Sequence, residues 1–304
     1  MNGTDAETRD ACAGVSEEIL GRLAPLLAAR GVAGSDCRVE LLAGGWWNRL
    51  ARVTGAGLDW VVKVYADGSS STLFPILPHS EAHALELLAG RELAPAIVAF
   101  LPDEPCTLVY EHCPGAAWSA GVEPVARLLR RCHALAAEGF REVPVDAAGI
   151  LEQGAGLLAS APPAPELVRS RPSAFAVERG PSSLVHTDCG PSNLIDGPAG
   201  VRLIDWQCPA SGDACEDVYA FLSSPFQILS GCAPLAESER RAFLNAYGDP
   251  AMERRLAGLW PALAWRMAAY CHVRRGDLAG VDPAGAERYE RALSAARAER
   301  EPAA

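Results

Sequence analysis

Lysine is almost missing from this chain: of 27 basic residues only Lys63 is a lysine, and the rest are arginine. Positive charge as a whole is short as well. Against 38 acidic residues the net charge is −11, which argues against nucleic acid as the main partner, because phosphate backbones select basic surfaces. No apolar run approaches the ~20 residues that span a bilayer, so no membrane association is expected. The first residues, from Met1 to Glu7, show no basic stretch followed by an apolar one, and no export signal is read there. Ten cysteines are scattered with no Cys-x-x-Cys pair among them. That pattern argues against a disulfide framework or a thiolate-bound metal and leads us to expect buried free thiols in a reducing cytoplasm, Cys208 and Cys215 included.

What is present begins with the lone lysine, in Trp60-Val-Val-Lys63-Val-Tyr65. An ammonium is a compact point charge, whereas a guanidinium is a broad planar fork. A single lysine kept in a run that reads as a buried strand therefore suggests a pocket that only the point charge fits, most simply a phosphate pocket. Around it the chain reads as β-rich. A helix is expected over 16–30, capped by Ser16 and closed by Gly31. Short β-prone runs follow at 39–42, 50–54, 60–65, 96–101 and 107–111, with a helix from Ser80 to about Ala89. After Pro114-Gly115 the pattern turns helical, with segments at 123–138, 213–223, 237–247, 251–275 and 283–300. One hairpin interrupts them, its arms 184–195 and 201–204 joined across Asp196–Gly200. The expected organisation is an N-terminal lobe over 1–109, a hinge at 110–115 and a helical C-terminal lobe over 116–304.

The hairpin carries the densest chemistry: His186-Thr-Asp188-Cys-Gly-Pro-Ser-Asn193, then Leu203-Ile-Asp205-Trp206. Asp188, Asn193 and Asp205 fall where strands end, so a rigid scaffold can hold them while leaving their tips exposed. Carboxylate and amide oxygens are hard ligands suited to Mg²⁺, and the short spacing from Asp188 to Asn193 lets one loop present a base beside a metal ligand. Such a set suits phosphoryl transfer, in which catalysis is mainly positioning and neutralisation of charge.

His-x-Asp-x-x-x-x-Asn followed by Ile-Asp-Trp resembles the signature of the aminoglycoside phosphotransferase and choline kinase family. The resemblance extends along most of the chain and implies an α+β, bilobed protein-kinase-like fold: a small antiparallel sheet with one packed helix, then a larger, mainly helical lobe. It also implies an ATP- and Mg²⁺-dependent transfer to a small-molecule hydroxyl. Leu42-Ala-Gly44-Gly45-Trp-Trp-Asn48 resembles the family's phosphate loop, and Lys63 its nucleotide lysine. Glu81 resembles the helical partner of that lysine, and Leu108–Gly115, with Glu111 and Cys113, resembles the hinge that takes adenine. By the same resemblance Asp188 is the base, and Asn193 and Asp205 hold Mg²⁺. His186 is expected to buttress the catalytic loop and Asp217 to support it from the next helix. The choice of Glu81 over Glu86 has its own argument, since Glu81, Leu85 and Leu88 share one helical face and Glu86 does not. Thr187 stands where most members have glycine, Cys189 where a larger side chain is common and Ala214 where proline is usual. Trp46 and Trp47 make the phosphate loop bulky and are expected to pack under the sheet.

From Asp205 to the helix near Asp217 there is no room for a long activation segment, which disfavours a protein substrate. Trp206, Tyr219, Phe226, Trp260, Trp265 and Tyr270, with Asp213, Glu216 and Asp217 nearby, offer either a core or a box for a cation such as choline, ethanolamine, thiamine or an amino sugar. Two other readings stay open at this point: a non-catalytic nucleotide-binding regulator, and nucleotidyl transfer on the same fold.

Overall fold

The computed structural model describes residues 4–42, 48–66, 71, 73–174 and 176–299, and for residues 4–14 the backbone alone. The chain divides into two units, Met1–Ser69 with Ala82–Cys113, and Ser70–Glu81 with Pro114–Ala304. The expected phosphate-loop residues Gly44 and Gly45, and the neighbouring Trp46 and Trp47, lie outside the described residues.

The first unit opens with α1 (Thr4–Ala28), longer at its start than the capping signal at Ser16 suggests. It ends where expected: Gly31 takes φ +68°, and the Val32 N–H donates to the Leu27 carbonyl across the turn at 3.0 Å. Five strands follow, β1 (Arg38–Leu41), β2 (Asn48–Gly55), β3 (Leu58–Tyr65), β4 (Ile97–Leu101) and β5 (Thr107–Glu111), with α2 (Pro78–Leu88) between β3 and β4. They form one antiparallel sheet in the order β1-β2-β3-β5-β4. Period-two alternation puts Trp60, Val62 and Val64 of β3 on the face that packs against Ile19, Leu23 and Leu27 of α1, with Ala51, Val53 and Val109 filling the layer. Each buried valine, leucine or isoleucine in this layer contributes about 1.5–3 kcal/mol. The helix packed in this layer is thus α1.

Ser80 does not cap α2. Pro78 takes the first helical position, where its missing N–H costs nothing, and the Glu81 N–H closes the first turn on the Leu77 carbonyl at 2.9 Å. Glu81, Leu85 and Leu88 are buried, whereas Glu86 is exposed.

The second unit is built from β6 (Ala116–Ala117), α3 (Val122–Cys132), α4 (Ala147–Ala159), α5 (Pro165–Arg169), β7 (Ser183–Val185), β8 (Leu194–Gly197), β9 (Gly200–Leu203), β10 (Ala210–Gly212), α6 (Cys215–Leu222), α7 (Ser224–Leu229), α8 (Glu237–Tyr247), α9 (Pro250–Leu278) and α10 (Pro283–Ala298). The single long hairpin expected from the sequence is two pairings. β8 pairs with β9 and β6, while β7 pairs with β10. Gly190 and the 3-10 turn Pro191–Asn193 break the first arm, because proline has no N–H to give a ladder. α9 is the axis of this unit, with α4, α6 and α10 packed along it. Its start is fixed by Asp249, which accepts from the Ala251 and Met252 N–H groups, both at 3.0 Å.

α4 was not evident in the sequence, because Gly149, Gly154 and Gly156 give it poor helix propensity. Packing explains Gly154. A Cβ there would stand 2.6 Å from Trp265 Cζ3, so glycine lets α4 press onto the α9 tryptophan. Gly154→Val is expected to lower stability by about 1–3 kcal/mol through overpacking, read as a shift of the denaturant midpoint at unchanged m-value; a neutral result would refute the contact.

Candidate active site

Asp188, Asn193 and Asp205 are brought together within the second unit by three short pieces of backbone. β7 delivers the chain to His186, the 3-10 turn raises Asn193, and β9 returns to Ile204, whose N–H donates to the Asn193 carbonyl at 2.8 Å. Asp205 is therefore next to a residue hydrogen-bonded to Asn193, at the open end of the β8–β9 hairpin. The Asn193 amide Nδ2 donates to the Asp188 carbonyl at 2.8 Å and reaches Asp188 Oδ2 at 3.5 Å. That bond uses the nitrogen side of the amide and so fixes its orientation.

Asp188 is half-buried. Burial, then the neighbouring Asp205 carboxylate, pushes its carboxyl up to about 7, and the Asn193 amide opposes the shift. Two carboxylates that repel each other beside an oriented amide oxygen make a set of hard oxygen donors with excess negative charge. Hard oxygen donors of this kind are chemically suited to a divalent cation of the Mg²⁺ type.

The backbone of this loop is held from behind. Thr187 takes φ +69° and Asp205 φ +61°; for a β-branched threonine this is a strained conformation costing about 1–3 kcal/mol. Compensation comes from Asp217 on α6, which is fully buried. Its carboxylate accepts from the His186 N–H at 2.8 Å and the Thr187 N–H at 2.7 Å. His133 Nε2 donates to the same group at 3.1 Å, and His133 Nδ1 meets the Tyr247 hydroxyl at 2.9 Å. The Thr187 hydroxyl donates to the Cys208 carbonyl at 2.8 Å, which also accepts from Arg141 Nη2 at 3.0 Å. His186 Nε2 donates to the Ile204 carbonyl at 3.0 Å, and its ring lies edge-on to Trp206 with centroids 4.8 Å apart. His186 thus ties the Asp188 loop to the segment that presents Asp205.

His133 and Arg141 escaped sequence reasoning, since each acts through a backbone or carboxylate partner far away in the chain, and Cys208, expected as a buried free thiol, was not foreseen as a carbonyl partner of Thr187. Thr187, at a position where glycine is expected, was the available clue. The cysteines whose side chains are described are free thiols; burial pushes Cys189 and Cys208 up.

In the first unit Lys63 sits mid-strand in β3, opposite Leu50 on one side and Leu108 on the other. It is buried on the sheet face away from α1, with Nζ 5.3 Å from the Tyr65 ring centroid. Asn48 opens β2, its side-chain oxygen accepting from the Ala66 N–H at 3.4 Å. Glu111 ends β5, its N–H bound to the Ala96 carbonyl at 2.8 Å, and Cys113 is buried two residues on. Glu81, which falls in the second unit, is buried on α2.

The acidic residues considered for a cation box are already engaged. Asp213 accepts from Arg255 Nε at 2.7 Å and Nη2 at 3.2 Å, Glu216 pairs with Arg266, and Asp217 holds the Asp188 loop. Trp206, Tyr219 and Trp265 are fully buried core.

The sequence matches the phosphotransferase enzyme family over residues 38–259, and the chain belongs to that family. No curated protein matches it by sequence. Among solved structures it is similar to the choline kinase LicA of Streptococcus pneumoniae, at 20% identity and TM-score 0.65, covering 93% of this chain and 98% of that one. A choline/ethanolamine kinase family protein from Mesorhizobium loti gives 17% identity and TM-score 0.66, covering 94% of each chain. A thermostable aminoglycoside phosphotransferase mutant in ternary complex with AMP-PNP and hygromycin B gives 16% identity and TM-score 0.55, covering 85% of this chain and 93% of that one. The fold is the α+β kinase-like fold, with an antiparallel sheet in its N-terminal part and helices in its C-terminal part.

Burial works to raise the Asp217 carboxyl, yet the His133 hydrogen bond and charge, with the His186 contacts, hold it below the ordinary carboxylate range. A carboxyl depressed on folding adds stability that is present above its unfolded value, near pH ~4, and is lost as pH falls through the folded value. Asp217→Asn should cost about 3 kcal/mol at neutral pH and flatten the acid side of the stability profile. Denaturant titrations at pH 7 and below pH 4 check this; an unchanged acid slope would refute it.

Proposed function

We propose that this protein transfers the γ-phosphoryl group of ATP to a hydroxyl of a small molecule, in the cytoplasm and without nucleic-acid or membrane partners. The observation that carries the reading is the meeting of Asp188, Asn193 and Asp205 on one buttressed loop and hairpin. Family membership supports the reaction class, and a fold-mate solved with AMP-PNP supports the donor.

In this reading Asp188 accepts the acceptor's hydroxyl proton as the new O–P bond forms and the bond to ADP breaks. Asn193 and Asp205 hold Mg²⁺, which when bound neutralises charge on the phosphates. Lys63 supplies a point charge to the α- and β-phosphates and Glu81 orients it. Gly44, Gly45 and Asn48 cover the phosphates, and the 110–115 hinge, with Glu111 and Cys113, takes the adenine. Residues 1–109 form the nucleotide lobe and 116–304 the acceptor lobe. His186 and Asp217 do not transfer protons; they keep Asp188 in place. A base is worth about 10²–10⁴ in rate.

The test is nucleotide product analysis across hydroxylated acceptors, including choline, ethanolamine, thiamine and amino sugars. Acceptor-dependent ADP release is expected. Asp188→Asn should cut it by about 10²–10⁴ while ATP affinity stays within a few-fold, and Lys63→Ala should weaken ATP itself. Pyrophosphate as product would replace this reading with nucleotidyl transfer. ATP binding with no turnover, indifferent to Asp188, would indicate a non-catalytic nucleotide binder.

A further inference from the structure

The two residues before Asp188 reach across to the segment that presents Asp205, one to each side of it. His186 Nε2 donates at 3.0 Å to the carbonyl of Ile204, the residue before Asp205. The Thr187 hydroxyl donates at 2.8 Å to the carbonyl of Cys208, which follows Asp205 after Trp206 and Gln207. Residues 204–208 are thus pinned at both ends to consecutive residues of the Asp188 loop, and all of these groups belong to the second unit. The second pin continues the β7–β10 pairing. Val185 stands opposite Ala210 in that ladder, and the same register carried onward brings Thr187 opposite Cys208. There the Thr187 N–H turns to Asp217 at 2.7 Å, and the side chain makes the cross-strand bond.

Asp217 explains the backbone conformation at this position but not the residue that adopts it. Its bonds go to backbone N–H groups, which glycine would offer equally, and at φ +69° glycine carries no Cβ penalty. What threonine adds is the hydroxyl. Arg141 supports the same bond, its Nη2 donating to the Cys208 carbonyl at 3.0 Å and lying 3.4 Å from the Thr187 hydroxyl. The arginine is held in turn through its backbone, since the Ser211 N–H of β10 donates to the Arg141 carbonyl at 2.8 Å. A strained residue kept where an unstrained one would serve the backbone points to the side chain as the reason. Asp205, itself at φ +61°, is carried between the two tied ends, so the hydroxyl bears on the spacing of the two aspartates.

We propose that Thr187 is a positioning residue of the transfer reaction: its hydroxyl holds the Asp205 segment in register with Asp188, a task that glycine at the same position would leave undone. The inference rests on the phosphotransfer reading, in which Asp188 is the base and Asp205 holds the metal. It adds to that reading a residue that acts through a neighbouring segment.

The test compares Thr187→Gly, which removes the hydroxyl together with the strain, with Thr187→Ser, which keeps the hydroxyl. Three quantities are read on the full-length protein: ADP release with Mg-ATP and the choline, ethanolamine, thiamine and amino-sugar acceptors, amide hydrogen exchange over residues 205–209, and the denaturant midpoint. Thr187→Gly should lower kcat by about tenfold or more, with KM for ATP and for acceptor within about twofold, and should speed exchange over 205–209. Its midpoint should stay close to wild type, since relief of strain offsets the lost bond. Thr187→Ser should recover most of the rate and the protection. A purely structural role would instead move the midpoint and leave kcat of the folded enzyme intact. Wild-type kcat or wild-type exchange in Thr187→Gly overturns the proposal, as does a loss of rate that Thr187→Ser shares in full. In those cases turnover that still depends on Asp188 leaves phosphotransfer standing, whereas a wild type that releases no ADP with any acceptor removes both.

Discussion

Asp217 is a carboxylate with no exposed surface, and its two oxygens receive the N–H groups of His186 and Thr187 together with His133 Nε2. A buried charge left unpaired is expensive, so folding cannot complete around α6 without drawing in those donors. Because two of the donors are consecutive backbone N–H groups, the carboxylate dictates the path of the chain immediately before Asp188. Thr187 is thereby forced to positive φ, and the strain is met by charge-assisted bonds worth roughly twice a neutral one. The placement of the proposed base is in this sense a consequence of solvating one carboxylate with backbone.

The same logic runs through the neighbouring residues. His186 spans from the Asp188 loop to the Ile204 carbonyl, and Cys208 offers its carbonyl to both Thr187 and Arg141. Neither residue needs a reactive proton or thiolate for this. Burial raises the Cys208 thiol, which keeps it a weak donor inside the loop's packing. Polar side chains around Asp188 thus divide: Asn193 bonds to it directly, and those behind the loop satisfy backbone.

Much of the fold was legible because its signals are local. The strands of the first unit show period-two patterning bounded by glycines, and Gly31 marks the end of α1. The site trio was legible because its members fall at strand ends within a short stretch of sequence. Elsewhere the decisive terms are tertiary. α4 carries three glycines and gives no helical signal in the sequence; Trp265 shows why one of them is needed. The hairpin splits because Pro191 cannot pair, yet the new partner of β7 is β10, which no periodicity in a three-residue strand could announce. His133 falls inside the helix expected over 123–138, but α3 ends at Cys132, and Asp217, far along the chain, gives the histidine its partner.

Charge accounting also changes how the acceptor side is understood. Composition suggests an acidic protein ready for cations, with a net charge of −11. The acidic residues nearest the catalytic segment are nevertheless committed: Asp213 to Arg255, Glu216 to Arg266, Asp217 to backbone and His133. A paired carboxylate is electrostatically close to a neutral group at a few ångströms, so it does not recruit an ammonium. Net charge reports on solubility and long-range steering, whereas specificity depends on charges left unpaired at the surface of the site. Arg274 follows the same rule: it stands 6.0 Å from the Tyr289 ring centroid and is paired with Asp277 at 2.9 Å, so its charge too is largely offset.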